Sequence, residues 1–79
     1  MKSQQLIEKF CKANELQIVE LKYDRRLDYQ YGEGMDDSAW IIYYRPLFVP
    51  YSELVYSEGY TALALIDELK STIIDLKGA

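Results

Sequence analysis

Apolar residues near the start of the chain recur at helical spacing. Four of them would share one side of a helix: Leu6, Ile7, Phe10 and Cys11. We expect Ser3 to cap this helix, because a serine side chain can accept a hydrogen bond from a free N–H of the first turn. Asn14 is expected to end it, because asparagine tolerates the left-handed backbone that often closes a helix.

From Ile18 the apolar spacing changes from helical to alternating, as in a strand with one buried face. A single strand over 19–31 would be long, so we predict a hairpin with a three-residue turn at 24–26. The opposed residues would be Val19 with Tyr31, Leu21 with Tyr29, Tyr23 with Leu27, and Lys22 with Asp28. A longer irregular loop is the alternative, because Arg26 suits the positive φ of such a turn poorly.

The middle of the chain predicts a loop, a buried strand and a second strand-like segment. Residues 32–38 have two glycines and three acids and read as an acidic loop. Residues 39–44 are apolar or aromatic at both odd and even positions, which favours a central strand covered on both faces. Arg45 and Pro46 should end that strand, and residues 51–57 resume a strand-like pattern.

The last third predicts a helix. Thr61 is a suitable cap, and Gly78 is a suitable stop. The apolar stripe would consist of Ala62, Leu65, Ile66, Leu69, Ile73 and Leu76. Leu63 and Ile74 fall outside that stripe.

These elements predict an α+β fold over residues 1–79 as one domain: a helix, three to four antiparallel strands, and a helix. So small a chain cannot build two full core layers, so we expect both helices on one face of the sheet. The other face should then display part of a tyrosine-rich surface.

Composition excludes several chemistries. The chain of 79 residues has no histidine and one cysteine, so it cannot supply a Ser-His-Asp triad, a Cys-His dyad, a zinc site with histidine ligands or an internal disulfide. The lone cysteine fits a reducing compartment. No segment reads as a targeting signal, and 41–49 is too short to span a bilayer. We therefore expect a cytoplasmic protein with no membrane partner.

None of the short motifs predicts a catalytic, cofactor-binding or metal-binding site. Asp36 and Asp37 are adjacent and lack further acids at calcium-loop spacing, so a solvated loop is favoured. Gly32-Glu-Gly34 has no lysine and no following helix to hold a phosphate. Cys11 lies on the apolar stripe of the first helix and is interpreted as a small buried residue. We therefore predict a protein that is not an enzyme.

The charge is regional. The net charge is −4, but residues 27–69 contain eight acids against Arg45 alone, a local balance of −7, whereas residues 1–26 contain six bases against four acids. An acidic region mixed with exposed tyrosines would suit a basic partner and could imitate nucleic acid. Ordinary solubility is the alternative explanation.

Eight tyrosines exceed what so small a core can bury, and tyrosine is common at interfaces. We favour a dimer or partner surface over complete burial. The apolar residues 47–49 between two prolines either fold back on the core or form a contact knob.

The order helix, strands, helix, with Leu-Ile-Glu-Lys-Phe-Cys-Lys-Ala-Asn over 6–14, resembles the topology of double-stranded-RNA-binding domains. Those domains place lysines at the start of the last helix, where residues 61–68 here read Thr-Ala-Leu-Ala-Leu-Ile-Asp-Glu. The resemblance therefore implies the fold and not RNA binding.

The leading hypothesis is a non-enzymatic interaction module, homodimeric through a sheet face or edge, that docks on a basic site of a partner protein as an inhibitor or adaptor. The expected contact residues are Tyr29, Tyr31, Glu33, Asp36, Asp37 and Phe48. The alternative is a small nucleic-acid binder that uses Lys22, Arg25 and Arg26 for phosphates and tyrosines for base stacking.

Overall fold

The structure is a computed structural model that describes residues 2–24, 27–28, 35–36 and 38–78, with backbone only for 27–28 and 35–36. In these described residues, two helices flank five strands in chain order. The elements are α1 Ser3–Ala13, β1 Leu16–Asp24, β2 Leu27–Asp28, β3 Met35–Asp36, β4 Ala39–Pro46, β5 Val55–Gly59 and α2 Ala62–Gly78. The predicted order of helix, antiparallel strands and helix is confirmed.

Helix α1 begins one residue earlier than predicted. Ser3 is its first residue and not its cap, and the Lys2 backbone N–H donates to Oε1 of Gln5 at 3.3 Å. Asn14 ends the helix as predicted, and its Nδ2 donates to the carbonyl of Phe10 at 2.8 Å. The left-handed residue is the next one, Glu15, with φ 59°.

Strands β1, β4 and β5 form one antiparallel sheet in the order β1-β4-β5. The predicted central position of β4 is confirmed, because β4 lies between the other two strands. It ends at Pro46, and β5 occupies Val55–Gly59, later than the predicted 51–57.

The predicted local hairpin is wrong. Strand β1 pairs with β4, so Leu21 lies opposite Ile42, Tyr23 opposite Trp40 and Lys22 opposite Ile41. Tyr29 and Tyr31 lie outside the described residues, while Leu27 and Asp28 form β2 and pair with β3, within the predicted acidic loop. The physical reason is that β4 offers β1 a long apolar partner, whereas residues 24–26 offer no glycine for a tight turn.

A bulge in β1 changes which positions face the helices. Ile18 lies opposite Tyr44 and Glu20 opposite Tyr43, so Val19 is an extra residue without a cross-strand partner. The helix-facing positions therefore switch from even to odd, and Leu21 follows Ile18 on that face. Val19, expected on the buried face, is 51% exposed.

Helix α2 agrees with its predicted cap and stripe. The backbone N–H of Ala64 donates to Oγ1 of Thr61 at 3.0 Å. The buried residues of the helix are Ala62, Leu65, Leu69 and Ile73. Leu63 and Ile74 are exposed, as their position off the stripe predicts. Gly78, the predicted stop, is the last helical residue.

The core lies between the two helices and one face of the sheet. Helix α1 contacts β1, α2 contacts mainly β5, and the helices contact each other. The buried core cluster consists of Ile7, Cys11, Leu16, Ile42, Tyr44, Ala62, Leu65, Leu69 and Ile73. The expectation that both helices cover one face is confirmed. Neither described helix is long and apolar enough to cross a membrane.

Candidate protein-interaction surface

The sheet face opposite the helices, which we call the open face, follows from the strand register. Directly opposed residues of antiparallel strands point to the same side, so Tyr43, which alternates with the buried Ile42 and Tyr44, lies on the open face. The same parity and register place these residues there: Gln17, Glu20, Lys22, Asp24, Ala39, Ile41, Arg45, Tyr56 and Glu58. Ala39 and Ile41 of this face are buried, so the solvent-accessible part of the face lies around Tyr43, Arg45 and Tyr56. Both helices pack against the opposite face of the sheet.

An aromatic pair lies at the centre of the open face. Tyr43 and Tyr56 are cross-strand partners, and their ring centroids are 5.1 Å apart with the planes tilted by 55°. This geometry is favourable for two aromatic rings and adds stability to the strand pair. Tyr43 is half-buried, whereas Tyr56 is 47% exposed. The two rings therefore form a partly solvent-accessible platform.

Carboxylates flank this platform on both edge strands. On β5, the hydroxyl of Tyr56 donates to Oε2 of Glu58 at 2.7 Å. On β1, Glu20 lies opposite Tyr43, and its Oε1 is 3.6 Å from Nζ of Lys22. Both partners of this ion pair are about half exposed, so the pair contributes little to stability.

The platform and its carboxylates can contact one kind of group especially well. A guanidinium stacks on aromatic rings and pairs with carboxylates through several N–H donors. Tyr43 and Tyr56 supply the ring surface, and Glu20 and Glu58 supply the oxygens. The open face can therefore receive arginine side chains.

Most of the described tyrosines are on the surface. Of the six in the described part of the chain, Tyr44 alone is fully buried, and Tyr43 is half-buried. The exposed ones are Tyr23, Tyr51, Tyr56 and Tyr60. The expectation that the core cannot hide them all is confirmed for these residues.

A second aromatic group lies on the helix side, where the N-termini of the two helices meet the sheet. The rings of Tyr23 and Trp40 are 5.3 Å apart. With Tyr60, Ser3, Thr61 and Ala62 they line an open groove of about 360 Å³. This groove shows that the exposed aromatic surface is not confined to the open face.

Of the residues expected to contact a partner, Phe48 is the one whose side chain the structure describes. It is half-buried against the core, and Nζ of Lys77 lies 4.9 Å from its ring centroid. Its neighbour Leu47 is exposed, so the loop after β4 folds back in part and projects in part. Tyr29, Tyr31, Glu33 and Asp37 lie outside the described residues, and Asp36 is described as backbone in β3.

Cys11 is fully buried in the core, as its place on the helix stripe predicts. Burial, with a smaller contribution from the negative charge of Glu8, raises the pKa of its thiol to about 11. A thiol with so high a pKa is a poor nucleophile near neutral pH. Within the described residues, no three of the side chains of Cys, Asp and Glu gather into a metal-binding group.

Sequence reasoning did not select Tyr43 and Tyr56 as site residues. The sequence does contain an indication for Tyr43. Tyr43 and Arg45 are two residues apart in a strand and therefore share a face, and a charged residue marks the solvent side of a strand. The pairing of Tyr43 with Tyr56 had no sequence signal, because it depends on the register between β4 and β5.

Comparisons with known protein families, with curated proteins and with solved structures found no match to this chain.

Proposed function

We propose that this protein is a non-enzymatic interaction module that docks on a basic, nucleic-acid-binding site of a partner protein, as a small inhibitor or adaptor. The observation that supports this role best is the open face, where a tyrosine platform lies between carboxylates and no helix of the described chain covers it. Ring surface beside negative charge is what a site evolved for bases and phosphates would recognise.

The distribution of exposed acids supports approach to a basic partner. In the acidic region 27–69, every described carboxylate side chain is exposed: Glu53, Glu58, Asp67 and Glu68. Such a surface raises the rate of encounter with a positively charged site and makes binding weaken as salt is added. We infer that salt sensitivity is a property of the complex.

Five of the expected contact residues belong to the segment between β1 and β4. Asp24 and Ala39, which bound that segment, are paired at one end of the sheet. We propose that Tyr29, Tyr31, Glu33, Asp36 and Asp37 contact the same partner as the open face. Phe48 packs against the core on the helix side, with Lys77 over its ring, so we propose it as a contact separate from the open face.

The test uses a fluorescein-labelled arginine-rich peptide as the probe of a basic surface, and labelled single-stranded and duplex oligonucleotides as the competing class. We expect the peptide to bind, with affinity falling as salt increases, and the oligonucleotides not to bind. Oligonucleotide binding without peptide binding would instead support the nucleic-acid role of Lys22, Arg25 and Arg26.

A pair of charge-matched variants locates the binding surface. Glu20→Lys with Glu58→Lys reverses two carboxylates of the open face and should weaken peptide binding about 10-fold, since two exposed charge contacts are together worth about 1–2 kcal/mol. Glu8→Lys with Asp75→Lys makes the same change in net charge on the exposed surfaces of the helices. Equal weakening by both pairs would show that net charge alone drives binding and would contradict a role for the open face.

The same comparison includes the acids of the segment after β1. Charge reversal of Glu33, Asp36 and Asp37 together should also weaken peptide binding and reduce its dependence on salt. Unchanged affinity and unchanged salt dependence in this triple variant would remove these three residues from the proposed contact surface.

A further inference from the structure

The two edges of the three-stranded sheet are not alike. Strand β1 forms one edge and is interrupted by the bulge at Val19, with Lys22 farther along the strand. Bulges and lysines are devices that keep an edge from pairing with another strand. Strand β5 forms the other edge, pairs with β4 in unbroken register, and contains neither lysine nor proline. Its outer side has no strand partner in the described part of the chain.

Strand β5 is complementary to itself in one antiparallel register. If two copies pair about a two-fold axis at Ser57, all five residues find partners, and Val55 lies opposite Gly59 of the second copy. Tyr56 then lies opposite Glu58 of the second copy on the open face. Within one chain the hydroxyl of Tyr56 donates to Glu58 at 2.7 Å. In the paired strands this hydroxyl can donate to Glu58 of the second copy instead.

Exposed apolar side chains are frequent along the chain near β5. In the described part of the chain, five of the nine large exposed hydrophobic residues lie in β5 or within four sequence positions of its ends: Tyr51, Leu54, Tyr56, Tyr60 and Leu63. Strand β1 contains two, Val19 and Tyr23. In the described chain, exposed apolar side chains are therefore more frequent in and next to β5 than in β1.

Helix α2 independently points to the same two-fold axis. Gly59 lies against the first turn of α2, and the helix runs back along β5. Ser57 is two residues, or about 7 Å, before Gly59, which corresponds to four or five helical residues. From these rises per residue, Ser57 lies beside about residue 69 of α2.

Leu63 and Ile74 are symmetric about that level. They are 68% and 70% exposed, and their separation of about three turns places them on the same side of the helix. Their midpoint falls beside residue 69. When two copies meet at Ser57, the α2 helices run antiparallel, and Leu63 of one copy is level with Ile74 of the other.

We propose that a second copy of this chain pairs with β5 about Ser57, which gives one six-stranded antiparallel sheet with the two α2 helices side by side over it. The dimer places two open faces next to each other on one surface. Its use as a bivalent docking surface rests on the proposed function, whereas the dimer itself does not.

Light scattering and sedimentation of the full chain test the dimer, without any basic ligand. Between about 1 and about 200 μM protein, the mass should rise from that of one 9.3 kDa chain to that of two. Leu63→Glu with Ile74→Glu should raise the dimer Kd about 100-fold, or roughly tenfold for each side chain lost. Both residues are exposed, so circular dichroism and thermal unfolding should show an intact monomer. Val19→Glu, on the other edge, is the control and should leave the Kd unchanged.

Cysteine crosslinking tests the register. Tyr56→Cys mixed with Glu58→Cys should form a disulfide-linked dimer on mild oxidation, because the two positions are directly opposed in the proposed pairing. Either variant alone should crosslink much less, since its own position recurs two residues away across the axis. The native Cys11 is buried and does not compete.

Three results would overturn the inference. A chain that stays monomeric at every concentration would exclude the dimer, whatever its affinity for a basic peptide. A dimer that Val19→Glu dissociates and the Leu63/Ile74 pair does not would assign the contact to β1. Equal crosslinking of the mixture and of each variant alone would contradict the register. Loss of peptide binding in a chain that still dimerises would contradict the proposed function and leave this inference standing.

Discussion

Gly59 at the end of β5 lies in direct contact with the backbone of Leu65 in α2. A Cβ atom on Gly59 would lie 2.8 Å from Cα of Leu65 and against its backbone nitrogen. The obstacle is main chain, so no rotamer change can relieve it. This contact fixes the spacing between β5 and α2 and so shapes both the core and the edge strand.

Gly59→Ala should therefore destabilise the fold. The added methyl group must push α2 away from β5, and overpacking of this kind costs about 1–3 kcal/mol. Urea unfolding followed by circular dichroism measures the change. Gly78→Ala is the matched control, because nothing lies within 4 Å of its added Cβ. Equal stability of Gly59→Ala and the unchanged protein would contradict the close approach of strand and helix.

Tyr44→Phe should stabilise the protein. Tyr44 is fully buried, and its hydroxyl has no hydrogen-bond partner in the described structure. A buried polar group without a partner costs about 1–3 kcal/mol, which phenylalanine avoids while it keeps the ring. We expect a gain of about 1 kcal/mol in the free energy of unfolding. The exposed Tyr60→Phe should change little, and a loss of stability in Tyr44→Phe would reveal a partner for the hydroxyl.

Thr61→Ala should weaken the start of α2. The Thr61 hydroxyl oxygen accepts the hydrogen bond from Ala64 at 3.0 Å, and loss of such a cap costs about 1 kcal/mol. Thr61→Ser keeps the oxygen and should retain most of the stability. Thermal unfolding of the two variants distinguishes the cap from other effects of the substitution. Similar losses in both would show that the threonine methyl group matters and the hydroxyl does not.

Cys11 should make stability fall at high pH. Burial raises the pKa of its thiol from 9.0 to about 11 in the folded chain, so the folded state keeps a proton that the unfolded state releases. The contribution of the protonated Cys11 thiol to the free energy of unfolding is fully present below about pH 9. It is lost as the pH rises through about 11, and the free energy of unfolding then falls by about 2–3 kcal/mol.

Unfolding in urea at about pH 8 and about pH 10.5 measures this effect. Cys11→Ala, which lacks the thiol and keeps every other ionisable group, provides the reference. The loss of stability between the two pH values should be smaller in Cys11→Ala than in the unchanged protein. Identical losses would place the thiol in contact with solvent.

The helices could be predicted from local sequence because each has its own signals. The stripe of α2 and the Thr61 cap are periodic or adjacent features, and both agree with the structure. The predicted cap at Ser3 is wrong, because Oε1 of Gln5 accepts a hydrogen bond from the backbone N–H of Lys2 and the helix starts one residue earlier.

Strand pairing could not be predicted in the same way. The alternation from Val19 onward allows Leu21 to lie opposite Tyr29, which is near in sequence, or opposite Ile42, which is distant. The structure has Leu21 opposite Ile42. The bulge at Val19 has no sequence signal of its own, because it reflects the fit between β1 and β4. The open face depends on this pairing, so its central tyrosines emerged from the structure, whereas surplus surface tyrosine was already predictable from composition.

The most direct test of the open face as the docking surface is an amide chemical-shift titration of isotope-labelled protein with the arginine-rich peptide. We predict shifts on all three strands around Lys22, Tyr43 and Tyr56, and in the segment between β1 and β4. Residues on the exposed surfaces of α1 and α2 should not respond. Shifts confined to the helices, or none at peptide concentrations that saturate anisotropy, would contradict the assignment of this face as the site of binding.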